Sequence, residues 1–308
     1  MVLKESGMMS DRKKAYIAIT LQSLIIGFSF LFVKLTLKSA DTFTLLAHRF
    51  TVAAIFLFIY KFFSKDFPKV SIKDFFKILP YSLGFPIIFF LFQTLGLERI
   101  TSTEAGIVQA TLPILTLIAA GIILKEKISR MQKIFILTSV AGVIFINIMD
   151  GVSLHSDNFI GLIYILGSAV AFAVYSVLIK KISSKYSTMQ IVYVVNVAGF
   201  IFFNVISLYN HISANTIFDY FAPFAEKTFL LPILYLGILS SVITSILLTY
   251  AVSKIKATTV GLFNNLTSVI AIISGGLFLG EKLMWYDFAG IAVVLISTAA
   301  FSMVKTDK

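Results

Sequence analysis

The residues in this chain that could do chemistry are few, and the clearest of them come in pairs. "LKEKI" at 124–128 and "LGEKL" at 279–283 write nearly the same charged pentapeptide 155 residues apart, each closing a long apolar run. Glu126 and Glu281 therefore stand at helix C-termini, where a carboxylate opposes the helix dipole and needs donors from elsewhere. Each is expected to bond the start of the next helix or a basic neighbour as a hinge or cap, with a direct part in gating as the alternative. The following "SRMQ" at 129–132 has capping-box spacing from Ser129 to Gln132.

A second pair is Gln109 and Asn264, which coincide when residues 94–127 are laid without a gap on 249–282. Each lies about eight residues into an apolar run, roughly 4–6 Å from its middle at ~1.5 Å per residue. Amides at that depth face either a cavity, where they meet a polar solute, or another helix. Asn265 adds a third amide, and Gln22, Gln93, Asn196, Tyr175 and Tyr250 are further cavity candidates whose alternative is plain helix contact. Arg49 lies a turn or two inside its run. An ion pair with Glu98 or Glu104 is the favoured expectation for it, and attraction of a substrate carboxylate the alternative.

Much other chemistry is excluded. With no cysteine, disulfides and thiolate metal sites are impossible, and His48, His155 and His211 lack the close pairing of zinc ligands. No Walker-type loop points to ATP, and no nucleophile–base cluster supports a membrane-embedded enzyme, the alternative from outside transport. Neither a metal nor any other cofactor is expected. Proton coupling would want a carboxylate or histidine near mid-span, and its absence there favours facilitated or weakly coupled movement.

The elements that position these residues follow from composition. Of 308 residues, 58% are hydrophobic and only 13% charged, with mean hydropathy +0.95, too little charge to cover a soluble domain of this size. Ten apolar runs read as transmembrane helices: 15–36, 42–63, 75–97, 102–124, 131–149, 159–179, 188–209, 229–251, 257–279 and 286–304. The first is read as a retained span, not a cleaved signal. The longest connection, 210–227, is either an aromatic segment at the membrane surface or an ordinary loop. With both termini in the cytoplasm, 20 of 26 Lys and Arg fall inside and six outside, against six acidic residues inside and nine outside. The net charge of +11 thus follows from topology and does not call for nucleic acid.

The ungapped alignment of 94–127 with 249–282 holds nine identities in 34 positions, among them Thr103/Thr258, Gly106/Gly261, Gly121/Gly276, Glu126/Glu281 and Lys127/Lys282. "FLFVKLTLKS" at 30–39 echoes "YSVLIKKISS" at 175–184. A five-helix unit is duplicated, and because five is odd the second copy enters the membrane from the other side. The expected fold is all-α integral membrane, two inverted five-helix repeats at 15–149 and 159–304, with tails at 1–14 and 305–308 and an outer linker at 150–158. Inverted repeats are the architecture of alternating access. Gly276 and Gly280 form a Gly-x-x-x-Gly read as helix packing, and Trp285 and Tyr286 as an interfacial belt.

These stretches resemble the drug/metabolite transporter superfamily, EamA-type group. The resemblance lies in "TSTEAGIVQATLPILTLIAAGIILKEKIS", in "KATTVGLFNNLTSVIAIISGGLFLGEKL", in "AHRF" at 47–50 and in "GFSFLFVKL" at 27–35. It implies a cavity framed by spans one to four and six to nine, with five and ten packed outside. Two departures stand out: Lys125 where Gly often precedes the Glu, and Ser268 opposite Pro113. The expected function is secondary export of small polar metabolites, amino acids foremost, across the cell membrane. A multidrug exporter of the same fold is the alternative. The expected partners are a small-molecule substrate and the lipid bilayer, with the outer helices leaving room for a homodimer.

Overall fold

The computed structural model describes residues 10–65, 67–126, 129–150 and 156–304. The expected terminal tails beyond these limits, His155, Lys127 and most of the linker at 150–158 lie outside the described residues.

The described residues are helical nearly throughout. We number the long helices α1 Asp11–Thr36, α2 Thr42–Phe63, α3 Ile72–Arg99, α4 Ser102–Ile123, α5 Arg130–Asp150, α6 Ser156–Ile182, α7 Thr188–Ser213, α8 Lys227–Lys254, α9 Ala257–Leu279 and α10 Trp285–Met303. Eight of them are long and apolar enough to cross a bilayer by length and composition, and Trp285–Phe301 is a shorter apolar stretch. Helix is what an apolar environment demands, since a backbone without water must satisfy its own polar groups. Polar residues just outside the apolar runs set the starts. Asp41 accepts from Phe43 N and Thr44 N, Thr101 and Glu104 form a capping box, and so do Ser187 and Gln190. The Ser129–Gln132 box expected from spacing is present, its two bonds both 3.2 Å.

Cross-links between loops define two faces. On one, Lys254 bonds Asp11 at 2.9 Å, Lys180 approaches Glu126 at 4.0 Å, and Gln190 donates to the Lys69 carbonyl at 2.9 Å. This is the lysine-rich face. On the other, Ser39 bonds Glu226 and Thr42 bonds Glu98. The 214–226 segment folds back there as two short 3-10 turns. The carbonyl of the buried Tyr220 accepts from His48 Nε2 (2.7 Å) and its hydroxyl donates to Asn204 Oδ1 (2.6 Å), while Phe218 and Phe221 project outward.

Helices α1–α4 and α6–α9 form the body: α1 packs on α8 and α9, α2 on α7 and α8, α3 on α6, and α4 on α6 and α9. Helices α5 and α10 pack on each other beside it. A Cβ on Gly290 would lie 2.6 Å from the Gly142 carbonyl oxygen, so this crossing needs glycine on both helices. Large apolar side chains such as Leu137, Ile148, Ile296 and Met303 cover the outside of that pair, as a lipid-facing surface requires. The Gly-x-x-x-Gly reading at 276–280 is corrected at Gly280. A Cβ on Gly276 would strike Leu283, and one on Gly275 would strike Glu281 and come within 3.2 Å of Thr103 at the start of α4. Gly275 thus serves the chain's own return and the contact with α4 together, whereas Gly280, with nothing within 4 Å, packs on no helix.

Two body helices are irregular at equivalent places. Helix α3 carries a 3-10 turn at Leu79–Leu83 and a π segment at Gly84–Ile88, with Phe85 extended at φ −143° and ψ 125°. In α8 a π segment runs over Tyr235–Ile243, just after Pro232, which has no N–H to donate. Shifted by the repeat offset of 155, residues 84–88 become 239–243, the end of the second π segment. Helices α4 and α9 also break at equivalent points, between Gln109 and Leu112 and at Asn264.

Candidate functional site

The paired glutamates close the two ends of one helix pair. Helices α4 and α9 run antiparallel, and each receives at its N-terminus the carboxylate from the other's C-terminal end. Glu281 accepts from Ser102 N (2.9 Å), Thr103 N (3.0 Å) and Thr103 Oγ1 (2.5 Å). Glu126 accepts from Ala257 N (3.0 Å), Thr258 N (3.3 Å) and Thr258 Oγ1 (3.1 Å). Carboxylates at helix N-termini satisfy orphan N–H groups and meet the positive end of the dipole. The expectation of a bond to the next helix start is corrected in one respect: the helix capped belongs to the other repeat. Both caps are formed together, one on each face.

The turn that aims each glutamate is also shared. Gly280 is left-handed (φ +70°), and Glu281 N donates to the Gly275 carbonyl at 3.2 Å. Lys125 takes the same conformation (φ +55°), with Glu126 N on the Ala120 carbonyl at 3.3 Å. The departure from glycine at 125 therefore changes the strain and not the geometry.

Among the described residues Arg49 has no ion-pair partner, contrary to the favoured expectation. Glu98 accepts from Thr42, and Glu104 is occupied by the Thr101 capping box at the end of α4. Arg49 is fully buried. Its Nε donates to Ser241 Oγ (2.8 Å), and its Nη2 donates to Ser240 Oγ (2.8 Å) and the Ser240 carbonyl (3.3 Å). The guanidinium lies over the Phe90 ring, 3.6 Å from its centroid. The close approach of α2 to α8 that permits this depends on Gly237, where a Cβ would lie 2.9 Å from the Arg49 carbonyl.

From Phe90 an aromatic seam runs along α3 to α6. Phe85 lies 5.0 Å from Phe90 and 5.0 Å from Tyr175 between ring centroids. Along this seam, buried polar atoms lack a hydrogen-bond partner within the described protein: Arg49 Nη1, both amide atoms of Gln93, Thr94 Oγ1, the Tyr175 hydroxyl and Thr249 Oγ1. Thr94 and Thr249 are repeat equivalents. Thr249 stands near the Tyr175 hydroxyl without reaching hydrogen-bond geometry. Gln22 Oε1 on α1 and Asn196 Oδ1 on α7 are likewise unpartnered, though Asn196 Nδ2 returns to the Val192 carbonyl. Buried polar groups are nearly always satisfied, so this concentration calls for partners that the described residues do not supply.

The other expected residues are placed differently. Gln109 Oε1 receives only a long 3.5 Å contact from Ser168, and Asn264 Nδ2 bonds the Val260 carbonyl of its own helix at 3.0 Å. The two sit at the equivalent helix breaks and do not bond each other. Asn265 turns towards α5 and donates to Ser139. Tyr250 is half-buried one turn from the lysine-rich end of α8. Sequence reasoning did not single out Phe85, Phe90, Ser240 or Ser241. The signal available for the last two was a serine pair in the middle of an apolar run. Among the described residues no cluster of His, Cys, Asp and Glu is arranged to hold a metal ion.

Inverted helical repeats around buried polar groups, with lipid-facing apolar sides, define a multi-pass membrane transporter. The sequence pattern of the EamA-like transporter family matches residues 13–148 and again 159–303, and the chain belongs to that family. It is 42% identical over 282 residues to the uncharacterized transporter YcxC of Bacillus subtilis (strain 168), covering 92% of this chain and 90% of that one. To the uncharacterized transporter YetK of the same organism it is 29% identical over 298 residues, covering 95% and 88%. A crystal structure 15% identical in sequence superposes with a TM-score of 0.72 over 94% of this chain and 96% of its own, which supports the fold.

Proposed function

We propose that this chain is a secondary transporter that exports small polar metabolites, amino acids foremost, by alternating access. The observation that carries the reading is the crossed pair of carboxylate caps, one closing each end of α4 and α9, around buried polar atoms that have no partner in the protein. With both caps in place, access from each face is shut. Releasing either one would open one face of a pseudo-symmetric pair, which is the step alternating access needs. The excess of Lys and Arg on one face supports a cell-membrane orientation with that face and both termini in the cytoplasm. No nucleotide-binding loop supplies energy, so the solute gradient or a coupled ion drives the cycle.

The test is counterflow in proteoliposomes. Vesicles are loaded with unlabelled amino acids, nucleosides or sugar phosphates, and uptake of labelled traces of each class is followed. Stimulated uptake of amino acids is expected. Exchange of a cationic dye in place of all three pools would favour a multidrug exporter, and no exchange by folded protein would refute the transporter reading.

A further inference from the structure

The Arg49 guanidinium is held against the middle of α8. Its partners Ser240 and Ser241 are 13 and 14 residues from Lys227, the start of the 28-residue helix α8. A charge at that depth is costly to bury and is retained where something opposes it. Among the described residues no carboxylate pairs with it, and the ion pairs Lys180–Glu126 and Lys254–Asp11 lie at the lysine-rich face. Facing the guanidinium are Phe90 from α3 and, from α8, Ser240, Ser241 and Tyr235, whose hydroxyl is committed to the Ile25 carbonyl of α1 at 2.8 Å.

The guanidinium is also held in a fixed orientation. Two serines fix its Nε and Nη2 edge and Phe90 covers a face, so what stays open is Nη1, with two N–H donors and no acceptor. The side-on fork of Nε and Nη2 is taken by the serines, so a carboxylate oxygen reaching Nη1 would accept a single charge-assisted N–H bond from a donor whose direction the serines fix. Beside it runs the seam of Phe90, Phe85 and Tyr175, apolar in body, with the unpartnered amide of Gln93 one helical turn beyond Phe90. Laid on the second repeat by the helix starts Thr42 and Thr188, position 49 falls on Val195. The cation is therefore single, and one negative charge balances it.

We infer that Arg49 is the docking point for one carboxylate group of the transported solute, whose apolar portion lies along the Phe90–Phe85–Tyr175 seam. This deepens the transporter reading and rests on it only for the solute's being carried. A dianionic phosphate ester would leave the site with an excess negative charge, so a carboxylate monoanion is the class it fits.

The experiment compares solutes of one skeleton on the purified full chain. Leucine and 4-methylpentanoate are set against leucinamide and 4-methylpentanamide, with glucose 6-phosphate as a dianion, by thermal shift in detergent and by competition in counterflow. The carboxylates are expected to act at concentrations at least tenfold below the amides. Arg49→Lys, which keeps the charge and loses the donor that the serines hold in place, should weaken carboxylates about tenfold, and Arg49→Gln should abolish the preference. Ser241→Ala, which frees the guanidinium from one clamp, should weaken carboxylates and leave amides unchanged. Amides matching carboxylates in the unmodified protein would overturn the inference without recourse to any variant, as would a response to glucose 6-phosphate alone. Folded Arg49→Gln that keeps the preference would also overturn it. A carboxylate-selective thermal shift with no counterflow would uphold the site and refute transport, whereas counterflow of uncharged solutes alone would uphold transport and refute the site.

Discussion

Replacing Glu281 or Glu126 by Gln should open opposite faces of the molecule. Glu281 satisfies two backbone N–H groups and one hydroxyl at the start of α4. An unsatisfied buried donor costs roughly 1–3 kcal/mol, less where water can reach it. Glutamine keeps one acceptor oxygen, loses the charge and turns an NH2 group towards other donors, so the cap should weaken by about 1–2 kcal/mol, a factor of roughly 5–30 in the open population. Because the chain has no cysteine, a single reporter such as Gln109→Cys, buried at the break of α4, is read without background. With Glu281→Gln, labelling by an impermeant maleimide should rise 5–30-fold from the face bearing Glu281 only. With Glu126→Gln the rise should come from the lysine-rich face. Glu98→Gln, whose partner Thr42 lies within the same repeat, should favour neither. Equal rises from both faces in both variants, or no rise in either, would refute the idea that the crossed caps hold the two ends independently.

Four further outcomes follow from local geometry. Lys125→Gly should raise thermal stability in detergent by about 0.5–1 kcal/mol, since the left-handed strain of ~1–2 kcal/mol exceeds the entropy glycine adds to the unfolded chain, and Gly280→Ala should lower it by about 1. Gly290→Val should cost roughly 1–3 kcal/mol by driving α10 off the Gly142 carbonyl, whereas Gly121→Val, with nothing within 4 Å, should leave the melting temperature unchanged. Asn265→Leu should cost about 0.6–1.7 kcal/mol through the lost bond to Ser139, and Ser139→Ala in the same background should add nothing. Tyr220→Phe, which deletes the 2.6 Å bond to Asn204, should cost about 1 kcal/mol and speed proteolysis within 214–226.

The order of helices was plain in the sequence because lipid exposure and chain length act locally. The expected spans 42–63 and 257–279 coincide with α2 and α9, and the others begin or end within a few residues of their helices. Neighbourhood in space was less legible. Glu126 was recognisable as a cap in need of donors, but chain order points to the next helix, whereas the donors lie 131 and 132 residues on, across the repeat. Arg49 looked paired because Glu98 and Glu104 are close in a loop diagram. Its actual partners are 191 and 192 residues away, brought near by a helix packing that hydropathy does not report. The π segments leave little mark in the sequence beyond the prolines beside them, Pro80 and Pro86 in α3 and Pro232 in α8, which do not by themselves tell a π turn from a kink.

The two halves agree in mechanics and differ in chemistry. The caps, the left-handed turns before them, the breaks at Gln109 and Asn264 and the ends of the π segments all recur at one offset. Arg49 does not recur, and Pro113 faces Ser268 in the alignment. Inversion requires the moving parts to be duplicated, because each face must close by the same device as the other. It places no such requirement on the docking point proposed at Arg49, which would serve both conformations from one position. A second cation related by the repeat would double the buried charge that one solute must balance. Drift at the cap positions is therefore constrained by the partner repeat, whereas drift along the α2–α3–α6–α8 seam can change what is carried while leaving the cycle intact.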